Sequence, residues 1–213
     1  GTMAFNMQDV LLEPYGGEIL GLSVAATTVL TAVWALGALV GFALAGRMLS
    51  QGRCAYRIAA IGLLAGVVAF CTVIFAAPMG SSVMFFTGAG LIGFGSGLFA
   101  VATLTAAMTM PAKGVAGHGL ALGAWGAAQA TAAGLSIALG GGLRDWIGGM
   151  ATSGQLGEAL NTPATGYSFV YHVEIGLLFV TLAALGPLVR YAPSRPRNTP
   201  KESARIGLAD FPT

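Results

Sequence analysis

Apolar residues divide the chain into long hydrophobic segments that are separated by short polar connections. Five segments reach the roughly 20 residues that an α-helix needs to cross the hydrocarbon core of a bilayer. The pattern therefore predicts an all-α protein built as a polytopic transmembrane helical bundle. The predicted spans are Val24–Gly46, Ile58–Ala77, Val83–Met110, Gly119–Gly142 and Phe169–Tyr191.

The residues before the first span predict one further helix. GTMAFNM (Gly1 to Met7) has no Met at position 1 and has the character of the last turns of a helix that is already under way. It is too short for a signal peptide and lacks a basic start. We therefore expect about six spans, with the first truncated, and a sequence that is the C-terminal part of a longer protein.

The stretch Met7–Ser23 is an acidic island between apolar surroundings. Pro14, Gly16 and Gly17 predict that no helix continues through it. We expect a turn where the chain leaves the membrane and enters it again. Its acidic residues are Asp9, Glu13 and Glu18.

The composition supports a membrane environment. Hydrophobic residues make up 55% of the chain and charged residues only 8%, whereas a soluble domain has roughly 25% charged residues. The mean hydropathy is +0.78. This is too little charge to cover a water-facing surface, so a soluble domain is excluded.

Nine of the ten basic residues lie on one side of the predicted bundle. Arg144 is the only one on its side, together with the acids Asp145 and Glu158. By the positive-inside rule, the C-terminus and the loop after the first span are cytoplasmic, and Met7–Ser23 lies outside. The other basic residues are three after the first span (Arg47, Arg53, Arg57), one after the third (Lys113) and five after the fifth (Arg190, Arg195, Arg197, Lys201, Arg205).

Two regions are predicted to lie outside the spans. Leu143–Ser168 is rich in Gly, Ser and Thr, which favours an irregular loop or a short surface helix over Ser153–Leu160. Residues 193–213 combine prolines with mixed charge and predict a disordered basic cytoplasmic tail after a bundle of residues 1–192. The tail is either a topology signal or a contact for anionic lipid.

Small residues spaced by four predict seams where helices approach closely. Such a seam either packs within the molecule or binds a flat ligand or a partner's helix. One row follows the fourth span at Gly126, Ala130, Gly134, Ala138 and Gly142, beside Gly119, Gly123 and Ala127; others are Gly37, Gly41 and Ala45, and Ala89, Gly93 and Gly97.

Two polar residues fall inside spans. The amide of Gln129 must find a partner in lipid, so it either bonds another helix or lines a path. Glu174 is a functional candidate because ionisable groups within spans are costly; the alternative is that it reaches the outer interface towards Arg144. His118 and His172 lie near opposite faces and cannot share a metal.

Nothing in the sequence indicates enzymatic chemistry. Zinc-protease, Walker and nucleophile-elbow motifs are absent, and so are Cys/His clusters. A loose G-x-G-x-x-G within Gly88–Gly97 lies inside a span and follows no strand, so a nucleotide site is rejected. Cys54 and Cys71 are predicted to be free thiols at different depths. We expect no catalytic residue, no metal site and no nucleic-acid partner.

Three stretches carry a family resemblance. They are Gly1–Ser23, Leu30–Leu49 and Gly119–Gly141. Together they resemble the C-terminal half of the PucC family, which are twelve-span proteins similar to the major facilitator superfamily. The loop GFALAGRMLSQGR (Gly41 to Arg53) is similar to a degenerate facilitator loop signature, with Gly46 at the position of the expected acid.

The resemblance implies an assembly role in a phototrophic bacterium. PucC-like proteins support assembly of light-harvesting antennae and are thought to handle bacteriochlorophyll. It implies a multi-pass protein of the intracytoplasmic photosynthetic membrane, with antenna polypeptides, a photosynthetic complex and an N-terminal half-bundle as partners. Two alternatives stay open: a secondary transporter of a small solute, and a structural subunit of a photosynthetic complex.

The resemblance also implies candidate pigment contacts, because the magnesium of a chlorin takes an axial nitrogen or oxygen ligand. Gln129, His172, Glu174 and Glu13 are the candidate ligands. Trp34 and Trp125 either stack on the ring or serve for packing and interface anchoring.

Overall fold

The computed structural model describes residues 1–109 and 115–191, and all regular secondary structure in these ranges is helical. Short 3-10 turns cover Met7–Val10 and Glu158–Leu160. The predicted all-α class is confirmed. The helices are α1 (Thr2–Asn6), α2 (Leu12–Glu18), α3 (Val24–Ser50), α4 (Ala55–Ala76), α5 (Ser82–Met108), α6 (Val115–Thr152) and α7 (Ala164–Tyr191).

Within the described residues, four helices are long and apolar enough to cross a membrane: α3, α4, α5 and α7. The 38-residue α6 is long enough but is not among them, because glycines, threonine and Gln129 dilute its hydrophobicity. The count of about six spans and the likeness to half of a facilitator stay predictions.

Helix α5 lies between α3 and α4 and packs closely against both. A Cβ atom on Gly93 would overlap the carbonyl oxygen of Trp34, and one on Gly97 would lie 2.5 Å from that of Ala38. A Cβ on Gly62 of α4 would lie 2.7 Å from the carbonyl oxygen of Gly95. The seams predicted for the first and third spans are therefore confirmed, and both lie within the molecule.

The row of small residues on α6 is different. A Cβ added to Gly126, Gly134 or Gly142 would meet no atom within 4 Å. The helix uses another face, where Ser136 is buried and a Cβ on Gly140 would lie 2.6 Å from the carbonyl oxygen of Met7. Of the two interpretations of this row, packing against the described part of this chain is therefore wrong.

The N-terminal stretch corrects a second prediction. Helix α2 continues through Pro14, Gly16 and Gly17, and the chain turns later, at Gly21, where φ is +65°. Pro14 is tolerated because the first backbone N–H groups of a helix have no partner within it. Leu12 and Tyr15 are buried, so one face of this stretch packs into the core, while its acids Asp9, Glu13 and Glu18 stay exposed.

The predicted loop Leu143–Ser168 is also wrong over much of its length. Helix α6 continues to Thr152 because Ile147 and Ala151, spaced by four, are buried. Helix α7 begins at Ala164, and a Cβ on Gly166 would lie 2.5 Å from the carbonyl oxygen of Arg144. The connection is thus confined to residues 153–163. The surface helix expected over Ser153–Leu160 is only a 3-10 turn at its end.

The remaining predictions on the fold have mixed outcomes. Cys54 and Cys71 are free, as predicted. The predicted span boundaries lie within about five residues of the observed helix ends except in α6. Met110, Lys113 and the tail 193–213 lie outside the described residues.

Candidate functional site

Glu174 is a fully buried carboxylate on α7. Neither of its oxygens has a hydrogen-bond partner among the described residues. The backbone of Gln8 and the side chain of Asp9 lie nearby, as does Tyr171. The alternative that Glu174 reaches towards Arg144 at the interface is therefore wrong, and Glu174 stays a functional candidate.

Other buried polar atoms lie near this carboxylate or contact a residue that does. The amide oxygen of Gln8 and the hydroxyls of Tyr15 and Tyr171 are buried and have no partner in the described part of the chain. The ring of Tyr15 meets the ring of Tyr171 edge-on at 5.6 Å. Leaving such groups unpaired costs about 1–3 kcal/mol each, so this cluster is an energetically costly polar interior and not an ordinary apolar core.

Sequence reasoning missed Gln8 and Tyr15 as members of this cluster. The face of α7 could have been found, because Tyr167, Tyr171 and Glu174 follow the i, i+4, i+7 spacing of one buried stripe. The N-terminal contribution could not, because Pro14 and its neighbouring glycines indicated a turn where the structure has a helix.

A second group of polar side chains, centred on Arg144, lies where α2, α6 and α7 meet. Arg144 donates to Glu18 at 2.5 Å, to Asp145 at 2.7 Å and to the hydroxyl of Tyr167 at 2.6 Å. That hydroxyl donates to Glu18 at 2.7 Å, and the guanidinium lies 4.5 Å from the centre of the Tyr167 ring. The hydrogen bond to Asp145 raises the pKa of Arg144 above its ordinary value. The group joins α2, α6 and α7 and has a structural role.

Two of the predicted ligands already have hydrogen-bond partners. The half-buried Gln129 accepts from the hydroxyl of Thr2, which confirms that its amide bonds another helix. The exposed Glu13 accepts from the hydroxyl of Thr31 at 2.5 Å.

The predicted aromatic residues lie on different helices. Trp34 on α3 has a buried indole N–H with no partner among the described residues. Trp125 is half-buried on α6. Within the described ranges, no hydrogen bond joins any two of the six predicted site residues. The side chain of His118 is outside the described residues.

His172 and Glu174 are near neighbours in sequence but lie on different faces of α7. A separation of two residues along the sequence is a rotation of roughly 200° around a helix. His172 is therefore exposed, whereas Glu174 is buried. Of these two candidates, Glu174 is therefore a buried carboxylate and His172 is an accessible imidazole.

His172 lies in an apolar groove of about 820 Å³ at the start of α7. The groove lies at the end of the bundle that is opposite Arg47, Arg53 and Arg57. Its polar members are Thr162, Thr165, Ser168 and His172, and no charged side chain lines it. The larger apolar residues that line it are Ile19, Ile74, Ile147, Leu156, Leu160 and Phe169.

The hydrogen bond of His172 fixes the tautomer of its neutral ring. Its Nδ1 lies 2.6 Å from the carbonyl oxygen of Ser168. A carbonyl oxygen can only accept, so Nδ1 carries the hydrogen. In the neutral ring, Nε2 therefore keeps its lone pair and can serve as a ligand.

Together the composition and the fold define an all-helical protein with four described helices that are able to span a membrane. The family model for the "PUCC protein" matches residues 1–192. The chain therefore belongs to the PucC family.

Curated relatives agree with this assignment. The chain is 59% identical, over its whole length, to a Rhodobacter capsulatus protein named for the puhA-bchM intergenic region, of which it covers 44%. It is 46% identical over 90% of its length to Protein PucC of Cereibacter sphaeroides, of which it covers 40%. It is 30% identical over 85% of its length to the bacteriochlorophyll synthase 44.5 kDa chain of Rhodobacter capsulatus.

The chain spans less than half the length of these relatives, which agrees with a match to the C-terminal half of the family. No solved structure matches it.

Proposed function

We propose that this chain belongs to an integral membrane assembly factor for bacteriochlorophyll-binding light-harvesting complexes, which handles or delivers bacteriochlorophyll. The observation that carries the proposal is the family match over residues 1–192. Relatives named Protein PucC in three phototrophic species support it. The role is that of a chaperone and not of an enzyme.

One structural feature is compatible with this role. The face of α6 that contains Gly126, Gly134 and Gly142 is smooth and touches nothing in the described part of the chain. Such a face accepts a flat ring or an apolar helix at close range. Its occupants under this proposal are an antenna helix, a pigment, or the N-terminal half-bundle of the same protein.

The proposed location is the photosynthetic membrane, with the C-terminus on the cytoplasmic side. The four apolar helices and the clustering of basic residues support this orientation. A reporter that is active only in the cytoplasm, fused after Thr213, is expected to be active. A reporter inserted in the 153–163 connection is expected to be silent.

Deleting the gene in a phototrophic host tests the assembly role. We expect the near-infrared antenna bands to fall relative to the reaction-centre band, and the intact gene to restore them. Restoration by a variant that is absent from the membrane would contradict the proposal, as would unchanged bands after deletion.

Purification in mild detergent tests pigment handling separately. A bacteriochlorophyll band that stays with the protein through gel filtration, at a fixed ratio and without antenna polypeptides, is the expected result. A colourless folded protein would leave only the chaperoning of antenna helices. Stable recovery with antenna or reaction-centre chains in fixed stoichiometry would favour the structural-subunit alternative.

A further inference from the structure

We propose that the groove beside His172 holds the macrocycle of bacteriochlorophyll, with Nε2 of His172 as the axial ligand of its magnesium. This inference rests on the proposed function and assigns a site to it.

The size and polarity of the groove fit this occupant. A volume of about 820 Å³ falls within the roughly 300–1,000 Å³ that is usual for small-molecule sites. The lining is mostly apolar and contains no charged side chain. It therefore suits a large apolar ring and offers nothing to a charged solute.

His172 has the chemistry that a magnesium ligand needs. It is exposed, so a bulky ring can reach it. The 2.6 Å hydrogen bond from Nδ1 to the carbonyl of Ser168 orients the ring and leaves Nε2 free. Metal-binding histidines commonly donate their second N–H to a carbonyl in this way, which fixes the tautomer and the ring orientation.

The other candidate ligands fit less well. Glu174 is 0% exposed within the core, so no macrocycle reaches it without opening the bundle. The amide oxygen of Gln129 and one carboxylate oxygen of Glu13 already accept from Thr2 and Thr31. None of these three residues lines the groove.

The test uses the full-length protein in detergent with two probes, bacteriochlorophyll a and its magnesium-free counterpart bacteriopheophytin a. The variants are His172→Leu, which removes the ligand, and Ala159→Trp, which fills the groove but keeps the imidazole. Ala159 is exposed on a 3-10 turn that lines the groove, so the core is not disturbed. Gln129→Leu is the control, because it removes a rival ligand.

We expect wild type and Gln129→Leu to bind bacteriochlorophyll a and to discriminate against bacteriopheophytin a. His172→Leu should weaken bacteriochlorophyll binding about tenfold, which corresponds to about 1.4 kcal/mol, and should lower the magnesium coordination number read from the visible absorption band. Ala159→Trp should weaken binding of both pigments.

Several results would overturn the assignment. Unchanged affinity and coordination in His172→Leu would remove His172 as the ligand, and unchanged binding in Ala159→Trp would remove the groove as the site. A wild-type protein that binds neither pigment would also overturn it. That last outcome leaves the assembly role standing if deletion of the gene still lowers the antenna bands, so the two failures are distinguishable.

Discussion

The guanidinium of Arg144 binds the carboxylate of Glu18 at 2.5 Å and so ties α6 to the end of α2. The hydroxyl of Tyr167 lies between the same two groups, 2.6 Å from Arg144 and 2.7 Å from Glu18. Three helices that are far apart in sequence therefore meet in one polar contact at the edge of the bundle.

This contact predicts a modest effect on stability. The Arg144 and Glu18 side chains are 29% and 51% exposed, and exposed ion pairs contribute about 0.2–1 kcal/mol. A double-mutant cycle of Glu18→Gln and Arg144→Gln should give a coupling energy in that range, measured by unfolding in detergent. Asp145→Asn is the control with a smaller effect, since Asp145 is 71% exposed. A coupling energy well above this range would mean that the membrane shields the pair from water.

The seam between α3 and α5 predicts a larger effect. Gly93→Ala would push a methyl group into the carbonyl oxygen of Trp34, and such overpacking costs about 1–3 kcal/mol. The matched control is Gly134→Ala on α6, where no atom lies within 4 Å. It should be neutral or stabilising by up to about 1 kcal/mol, because Ala favours helix more than Gly. Equal thermal midpoints for the two variants would show that the seam does not restrict Gly93.

The open face of α6 predicts a separation of stability from function. Gly134→Leu places a large side chain on a surface that touches nothing in the described part of this chain. Under the proposed function, it should leave the thermal midpoint almost unchanged but lower the antenna bands of the membrane. Leu135→Phe, on an exposed neighbouring position, is the control and should leave those bands intact. Normal bands with Gly134→Leu would mean that no partner approaches this face.

The sequence predicted the apolar helices well because long hydrophobic runs have few other structures open to them. It also predicted the contacts of Gly93 and Gly97, since small residues spaced by four mark close approach of helices. The same rule did not predict the packing of Gly134, because spacing shows that a face is smooth and does not show what lies against it.

The polar interior was harder to predict. Pro14 and its neighbouring glycines are usual turn formers, but the burial of Leu12 and Tyr15 stabilises a helix through them. Local propensity was therefore overridden by packing against distant helices. Glu174 could be singled out from its depth in a span, but its neighbour Gln8 comes from this N-terminal stretch and depends on the tertiary fold.

Glu174 distinguishes an assembly factor from a proton-coupled transporter. Its carboxylate is fully buried, and no cation or side-chain donor pairs with it among the described residues. In an assembly factor it has a structural role, so Glu174→Gln should keep the antenna bands and should keep or raise the thermal midpoint. An unpaired buried polar group costs about 1–3 kcal/mol, so its replacement by an apolar side chain in Glu174→Leu should also keep or raise the thermal midpoint. Tyr171→Phe, which removes another unpaired polar atom, is the control.

The opposite pattern would favour the transporter. A carrier of protons needs a group that gains and loses one within the membrane, and glutamine cannot do so. If Glu174→Gln remains folded and inserted but abolishes antenna formation while Tyr171→Phe does not, the carboxylate has a role beyond structure. Proton uptake would then be measured in liposomes that contain the full-length protein. Loss of that uptake in Glu174→Gln would establish proton coupling as the reason that a costly buried acid is retained there.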